Sequence, residues 1–504
     1  MNLRNLWSRK LTLAVLAVVL VLAVARCSYV ALPGGIVVNF PGFSGDPVEE
    51  DALAKRVQLP PGFSISTYAA DVPNARMMVF TETGDLLVSQ PRQGKVLLLE
   101  RDRNGDGRPD GRRVLLEGLD LPHGLELKNG SLYVAEGGGI ARVRFDAASG
   151  TTSGPIDRIV KGLPTGGNHW TRTVHVGPDD RLYVSVGSSC NVCVEEDPRR
   201  AAILRYALDG TGEELYATGL RNSVDFAWRP GTDELYATDN GRDLLGDEFP
   251  PCELNRVVEG GFYGWPYANG EKISDPDFGE GNEAQVAHSL PPAHGFPAHT
   301  APLGIEFYDA TAFPERYRGA AFVALHGSWN RRHKIGYEVV ALLFEPDGTI
   351  RAEPFAHGFE VEDDVIGRPV DVAVGPDGAL YVSDDYASAI YRITYGDDAG
   401  ARPIAAAAPK SSAGSDPLAG LNPEARRAAS ARGEKLWDES DCARCHVRGE
   451  AGSKPRPLAR LASRYDVASL TSFLAAPQPP MPLYPFDEPQ RRDLSVFLLE
   501  RWGK

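Results

Sequence analysis

Cys442, Cys445 and His446 stand as Cys-x-x-Cys-His within the 504-residue chain. At this spacing two thiols form thioethers to a porphyrin and the histidine ligates its iron, as in a c-type haem. Met481 is the only methionine after the motif, set among prolines in "PPMPLYP", and its thioether is the expected sixth ligand. A His/Met pair raises a haem potential, which suits it to accept electrons. The competing readings are a redox pair for the cysteines and core packing for the methionine. A haem relay needs a donor, which is expected in the long chain before it.

Cys190 and Cys193 form a second Cys-x-x-Cys, but Val194 follows. Haem attachment is excluded there, leaving a local disulfide or a pairing of one of them with Cys252 ahead of zinc. In "DRNGDGRPD" the spacing of Asp102, Asn104, Asp106 and Asp110 matches the first half of an EF-hand loop. Arg113 stands where that loop ends in glutamate, and no helical period flanks it. It is read as a hairpin calcium loop, with a plain polar turn as the alternative.

The elements that carry these motifs differ along the chain. After Asn422 the period is helical: Pro423 takes a first-turn position, and Ala, Leu and Trp recur up to Cys442. Near the end Asp487 and Gln490 read as a capping box, with Leu494, Phe497, Leu498 and Trp502 on one face. Two helices bracketing the haem motif predict a small all-α cytochrome c domain over 423–504, after a linker of small residues and proline over 397–422. Before the linker a short strand recurs: "GDLLVS", "GSLYVA", "DRLYVS", "DELYAT", "GAAFVA" and "GALYVS". Its anchors are Leu86, Leu132, Leu182, Leu235, Phe322 and Leu380, spaced by 46, 50, 53, 87 and 58 residues. The long gap must hold an insertion. Flanking alternating strands complete a unit of about four, so residues 55–396 are expected to form an all-β six-bladed propeller, with a β-sandwich as the rival fold.

Composition agrees with many turns, with Gly 53 and Pro 39, and the net charge of −15 argues against nucleic acid or an anionic membrane surface as partner. Arg4, Arg9 and Lys10 precede an apolar run ending in Ala23-Val24-Ala25 and then Arg26. Residues 1–30 therefore read as an export signal or a membrane anchor; lipidation at Cys27 is disfavoured by Arg26. Each reading places the bulk of the chain outside the cytoplasm, in the periplasm or on the extracytoplasmic face, where disulfides persist.

In a propeller, the loops entering the innermost strands share one rim. By the repeat, His123, His169, Arg221, Asn222 and Arg368 share it, a set able to bind a planar anion and offer a base. Taken singly, each arginine reads equally well as a surface ion pair and each histidine as a turn residue.

The segments "GNHWTRTVHVGPDDRLYVSVG", "GLRNSVDFAWRPGTDELYATDNGRDLLGDE", "GGFYGWP", "TAPLGIEFY" and "GRPVDVAVGPDGALYVSDD" resemble the soluble glucose and sorbosone dehydrogenases, six-bladed propellers that use pyrroloquinoline quinone (PQQ) and Ca²⁺. The resemblance implies that His169 is the general base, that Arg221 and Asn222 bind the cofactor and that Arg368 contacts its quinone. A second arginine of the family aligns with Val370. Asn168 precedes the base where the glucose enzymes carry Asp, and His123 falls where they carry a Gln-Asn pair. "HGSWNRRHKIGYEVV" resembles the sorbosone branch and brings Trp329 or Arg331 over the cofactor. The carbonyls of Gly241 and Arg242, near Asn240, match the family's cofactor-calcium loop, and Asp247 with Glu248 a structural calcium site; a solvated acidic turn is the alternative. "PPMPLYP" resembles the methionine loop of class I cytochromes c.

Together these readings predict a quinohaemoprotein oxidising an aldose or hydrated sugar aldehyde. Electrons would pass through the haem to an external acceptor, a cytochrome, a quinone or an oxidase. The alternatives are a gluconolactonase-like metal hydrolase and a non-catalytic binding propeller with an attached haem.

Overall fold

Leu86, Leu132, Leu182, Leu235, Phe322 and Leu380 are each at most 1% exposed, and each stands first or second in the second strand of a unit of four antiparallel strands, to which the third unit adds a fifth, parallel one. The computed structural model describes residues 29–31, 37–42, 44–396, 418, 421–440, 442, 443, 446, 458, 461–463, 465–474, 484 and 486–503. The signal or anchor segment up to residue 28, most of the 397–422 linker, Cys445 and Met481 lie outside the described residues.

Six units follow one another, with innermost strands Met78–Phe80, Leu125–Lys128, Arg172–Val176, Phe226–Trp228, Pro302–Phe307 and Pro369–Val374. They are blades 1 to 6 of the expected propeller. The last blade takes its outer strand from the start of the chain: Phe63–Ala69 pairs antiparallel with Ala389–Tyr395, in the register Phe63↔Tyr395 and Ile65↔Ile393. Apolar clusters fill the space between neighbouring blades, as where Tyr68, Val72, Leu97, Tyr381 and Ile390 join blade 6 to blade 1. The expected insertion lies in blade 4. It adds Gly261–Phe262 parallel to blade 3, a hairpin of Ala268–Asn269 with Ile273–Ser274, and a helix Glu283–His288, then returns as His294–Phe296.

Register fixes which residues share a rim. Arg172 faces Val186, Pro302 faces Leu325 and Pro369 faces Asp384. The start of each of these innermost strands is therefore level with the end of its neighbour, so residues just before the first and just after the second emerge on one face.

The chain divides into two compact units, 1–405 and 406–504. In the second, helices Pro423–Glu439 and Glu488–Trp502 form as the periodicity predicts. Asn422 Oδ1 accepts from Ala425 N at 2.8 Å, and Asp487 with Gln490 makes the full capping box. Leu494, Phe497 and Leu498 are buried with Trp437 and Cys442. At Gly433 an added Cβ would lie 2.3 Å from Asp493 O and 2.7 Å from Phe497 Cβ, so glycine alone permits this close helix crossing.

Truncating an anchor removes a side chain with no route to solvent. Leu380→Ala is expected to cost about 2–5 kcal/mol, read as a lower urea midpoint at unchanged slope of the propeller transition.

Candidate active site

His169 lies three residues before the innermost strand of blade 3. Its Nδ1 is 2.9 Å from Ser188 O and 2.9 Å from Ser188 Oγ. The Ser188 hydroxyl donates to Cys190 O at 2.8 Å, so its one proton is committed. Nδ1 therefore carries the imidazole proton and Nε2 the lone pair. Nε2 hydrogen-bonds to none of the described residues. Burial first, then the Arg221 charge with Arg172 and Arg200, pushes His169 down from 6.5 to about 3. Gly187 makes room for this arrangement: a Cβ there would fall 2.6 Å from His169 Cβ and 2.7 Å from Asn222 Oδ1.

Arg221 is buried, and its guanidinium is engaged by the protein itself. Nε donates to Asn191 O at 2.9 Å, Nη1 to Asn240 O at 3.0 Å, and Nη2 to Asn191 Oδ1 at 2.8 Å and Asp243 Oδ2 at 3.0 Å. It supplies a fixed positive field beside His169.

A second set of charges faces the first from blades 5, 6, 1 and 2. Arg368 Nη2 donates to His326 Nδ1 at 2.8 Å, and His326 Nε2 to Asp385 Oδ1 at 2.9 Å. Asp385 Oδ2 accepts from Arg76 Nη1 at 3.0 Å, and Arg76 Nη2 lies 3.5 Å from His123 Nε2. Burial and the Arg368 charge lower His326 to about 4, against the opposing pull of Asp385. Burial would raise Asp385, but His326, Arg76 and Arg368 outweigh it and hold the carboxylate ionised. His123 is fully buried, edge-on to Trp170 with ring centroids 5.7 Å apart; it supports the rim from beneath rather than lining it. Arg76, His326 and Asp385 escape the sequence reading, although the repeat signals all three. Arg76 lies two residues before an innermost strand, and the other two follow second strands directly.

The chain preceding the ring also reaches this rim. Asn39 N donates to Trp329 O at 2.7 Å, Tyr386 OH to Pro41 O at 3.2 Å, and Arg368 Nη1 approaches Gly42 O at 3.5 Å. Trp329 is 40% exposed beside this strap, which begins well before the expected boundary at 55.

Several expected ligands have other partners. Arg331 pairs with Glu248 at 2.6 Å and Arg332 with Asp247 at 3.0 Å, which joins them to the blade 4 loop. Arg242 is buried on Asp275 and Asp277 at 2.7 and 2.8 Å. Gly241 has Pro251 O where a Cβ would sit. Asn168 is exposed and its N–H donates to Ser189 O at 2.8 Å. The 102–110 loop closes on itself. Asp102 accepts from the amides of Gly105, Asp106 and Gly107, Asn104 Oδ1 from Asp106 N, and Asp110 from Arg103 N at 3.3 Å. Among the described residues, the one group of three His, Cys, Asp or Glu ligand atoms close enough together to hold a cation is Cys190, Cys193 and Glu195. Those cysteines are joined as a disulfide, leaving Cys252 buried and unbridged. In the C-terminal unit Cys442 is buried, His446 N donates to Cys442 O at 3.1 Å and the His446 ring lies 5.8 Å from Trp437.

The two mouths of the ring differ in charge. The far channel is a 370 Å³ cavity lined by Glu126, His175, Asp225, Glu306 and Asp371. His175 bridges Glu126 and Asp225 at 3.1 and 3.0 Å, and burial raises Glu306 to about 8. The near rim sets Arg76, Arg221 and Arg368 against Asp243 and Asp385. There Arg76 Nε, Arg368 Nε, Asn222 Oδ1, Asn240 Oδ1 and Asn330 Oδ1 are buried without a hydrogen-bond partner. Unsatisfied donors and acceptors at one basic mouth are what a flat polyanion with a bound cation would complete, and PQQ with Ca²⁺ fits that set.

The low pKa of His169 sets a pH signature. Between 6.5 and about 3 the unfolded chain takes up this proton and the native chain does not. The residue's contribution to stability is thus complete above 6.5 and drains away as pH falls toward 3. His169→Gln is expected to flatten the pH dependence of urea stability in that window; a slope identical to the parent's would refute the assignment.

A family model described as TrAA12-like matches residues 57–250 and 270–396. A PQQ-dependent pyranose dehydrogenase of Coprinopsis cinerea is 26% identical over 339 residues, 56% of this chain and 44% of that protein. An uncharacterised protein of Borreliella burgdorferi is 38% identical over 224 residues, 43% of this chain and 58% of its own. The chain thus spans about half the length of the curated relatives it matches. The calcium structure of the Trichoderma reesei family AA12 enzyme superposes with a TM-score of 0.59 at 21% identity, covering 70% of this chain and 100% of that one, and so shares the fold. Because the family model covers more than half of the chain, with strands from each of the six blades, this chain belongs to the TrAA12-like family.

Proposed function

We propose that this protein is a PQQ-dependent dehydrogenase that oxidises an aldose at C1, or a hydrated sugar aldehyde, and passes electrons through a c-type haem to an external cytochrome, quinone or oxidase. The observation that carries the reading is His169, with its proton locked on Nδ1 and its Nε2 lone pair open at the basic mouth of the ring.

Arg368 and Arg76 would face the carboxylates of PQQ, and the unpaired Asn222 and Asn240 oxygens would face Ca²⁺ or a donor on the cofactor. When bound, the quinone accepts the hydride that leaves C1 of the sugar. His169 Nε2 takes the hydroxyl proton of the same carbon, so that a lactone or acid results. The imidazolium formed sits beside Arg221, which disfavours it; a bound polyanion lowers that repulsion and makes the base stronger in the loaded site than in the empty one. Ser188 O then stabilises the charged ring by accepting from Nδ1.

For the second half of the reaction, the Cys-x-x-Cys-His motif supports a haem joined to Cys442 and Cys445, with His446 and Met481 on its iron. Residues 1–30 as a signal or anchor support export to the periplasm or the extracytoplasmic face, and the Cys190–Cys193 disulfide suits that compartment. A metal hydrolase would want rim carboxylates free to ligate, whereas Asp243 and Asp385 are each tied to an arginine.

Mixing the purified protein, supplied with PQQ and Ca²⁺, with a panel of aldoses is expected to reduce the haem. In His169→Gln the rate should fall about 10²–10⁴-fold while PQQ affinity changes little. Hydrolysis or sugar binding without haem reduction would overturn the proposal.

A further inference from the structure

Residues 188–193 form neither strand nor helix, yet they make most of the contacts that hold His169 and Arg221. Ser188 receives His169 Nδ1, and its hydroxyl is oriented by Cys190 O at 2.8 Å. Asn191 accepts from Arg221 through both its backbone oxygen and Oδ1. The same Oδ1 accepts from Asp243 N at 2.8 Å, Nδ2 donates to Asp243 O at 3.0 Å, and the backbone oxygen also accepts from Trp265 Nε1 at 3.3 Å. One asparagine thus fixes Arg221 together with the loop that supplies its counter-ion. Asn191 is enclosed by the Cys190–Cys193 disulfide, whose cysteines are both partly exposed.

A bridge closing so short a loop removes little entropy from the unfolded chain, which is where disulfides that close long loops do most of their stabilising. What it does restrict is the native backbone between the two cysteines, and that backbone carries Cys190 O and Asn191 O.

We propose that the Cys190–Cys193 disulfide, with Asn191 inside it, is the positioning element of this site, fixing the tautomer of His169 and the placement of Arg221. The inference rests on the reading of this rim as a PQQ site with His169 as base. Neither cysteine touches reacting atoms; they act through Ser188 and Asn191. A dithiol reagent opens the bridge by giving up two electrons and two protons, leaving two thiols here and a disulfide on the reagent. With the loop released, Cys190 O no longer holds the Ser188 hydroxyl. That hydroxyl can then compete with Ser188 O for Nδ1; where it donates to Nδ1, the imidazole proton moves to Nε2 and the lone pair that a base needs is lost. Arg172, Arg200 and Arg221 remain around the ring, so it stays neutral in both states.

The test compares full-length protein with the bridge closed, after treatment with dithiothreitol, and as Cys190→Ser/Cys193→Ser. Side-chain ¹⁵N shifts of His169 report the tautomer without any cofactor, and PQQ affinity is measured by equilibrium dialysis. The closed protein is expected to show the Nδ1–H form; the opened protein gains the Nε2–H form and binds PQQ about 10-fold more weakly or worse. Asn191→Ala should reproduce the loss of affinity with the bridge intact, and Asn191→Asp, which keeps the acceptor for Arg221, should recover most of it. Should the double variant not fold, reduction of folded wild type gives the same readout. An opened protein with native circular dichroism, unchanged His169 shifts and unchanged PQQ affinity overturns the inference. A closed protein that oxidises no aldose overturns the proposed function instead, while the tautomer comparison still decides the role of the bridge.

Discussion

The pairing of Phe63–Ala69 with Ala389–Tyr395 is the constraint on which the site depends. A blade contributes one or two side chains to the rim, and the rim exists only if six blades are held around one axis. Taking the outer strand of the last blade from the beginning of the chain turns an open row of sheets into a ring, removes the exposed edge, and makes residues as distant as Arg76 and Asp385 neighbours at 3.0 Å. Ion pairs of that kind then work back on the fold. Arg76 spans blades 1 and 6 across the closure and is almost fully buried, so opening the ring would strand a charge as well as expose a strand.

Burying several guanidiniums around one opening is costly unless each finds acceptors. The rim meets this in two ways. Arg221 is engaged at all three nitrogens by backbone and amide oxygens with one carboxylate, which fixes its position. Arg368 and Arg76 share His326 and Asp385 and each keeps an unpaired Nε. The first kind sets the potential felt by His169; the second leaves donors for a ligand. A site in which some arginines are finished and others unfinished separates tuning from binding, although both draw on the same residue type.

The ring, its six anchors and its insertion are legible in the sequence because each repeat states the same burial pattern, and period two can be read without knowing what packs against it. His169 and Arg368 are legible because they lie just upstream of an innermost strand. Arg76 occupies the equivalent place in "DVPNAR", but a single arginine in a turn carries no mark of its partner, which is 309 residues away. His326 and Asp385 sit at the ends of second strands, the half of the rim that a reading confined to upstream loops leaves out. The acidic loops admit two readings for a related reason. Spacing that would suit a cation also suits Asx turns, and in the 102–110 loop the backbone amides supply the positive partners. Asp247 and Glu248 pair with arginines that arrive from blade 5, more than eighty residues along the chain, and such partners leave no mark in the local sequence.

The opposite signs of the two mouths bear on direction as well as affinity. Around the far cavity His175 is already held between Glu126 and Asp225 and burial keeps Glu306 protonated, whereas the near rim carries Arg76, Arg221 and Arg368 against two carboxylates, so the field along the channel axis favours an anion at the near mouth. Residues of the strap at 37–42 lie at that same near mouth, between Trp329 and Arg368. The strap thus brings backbone acceptors to the face that carries His169, where Pro41 O takes the Tyr386 hydroxyl.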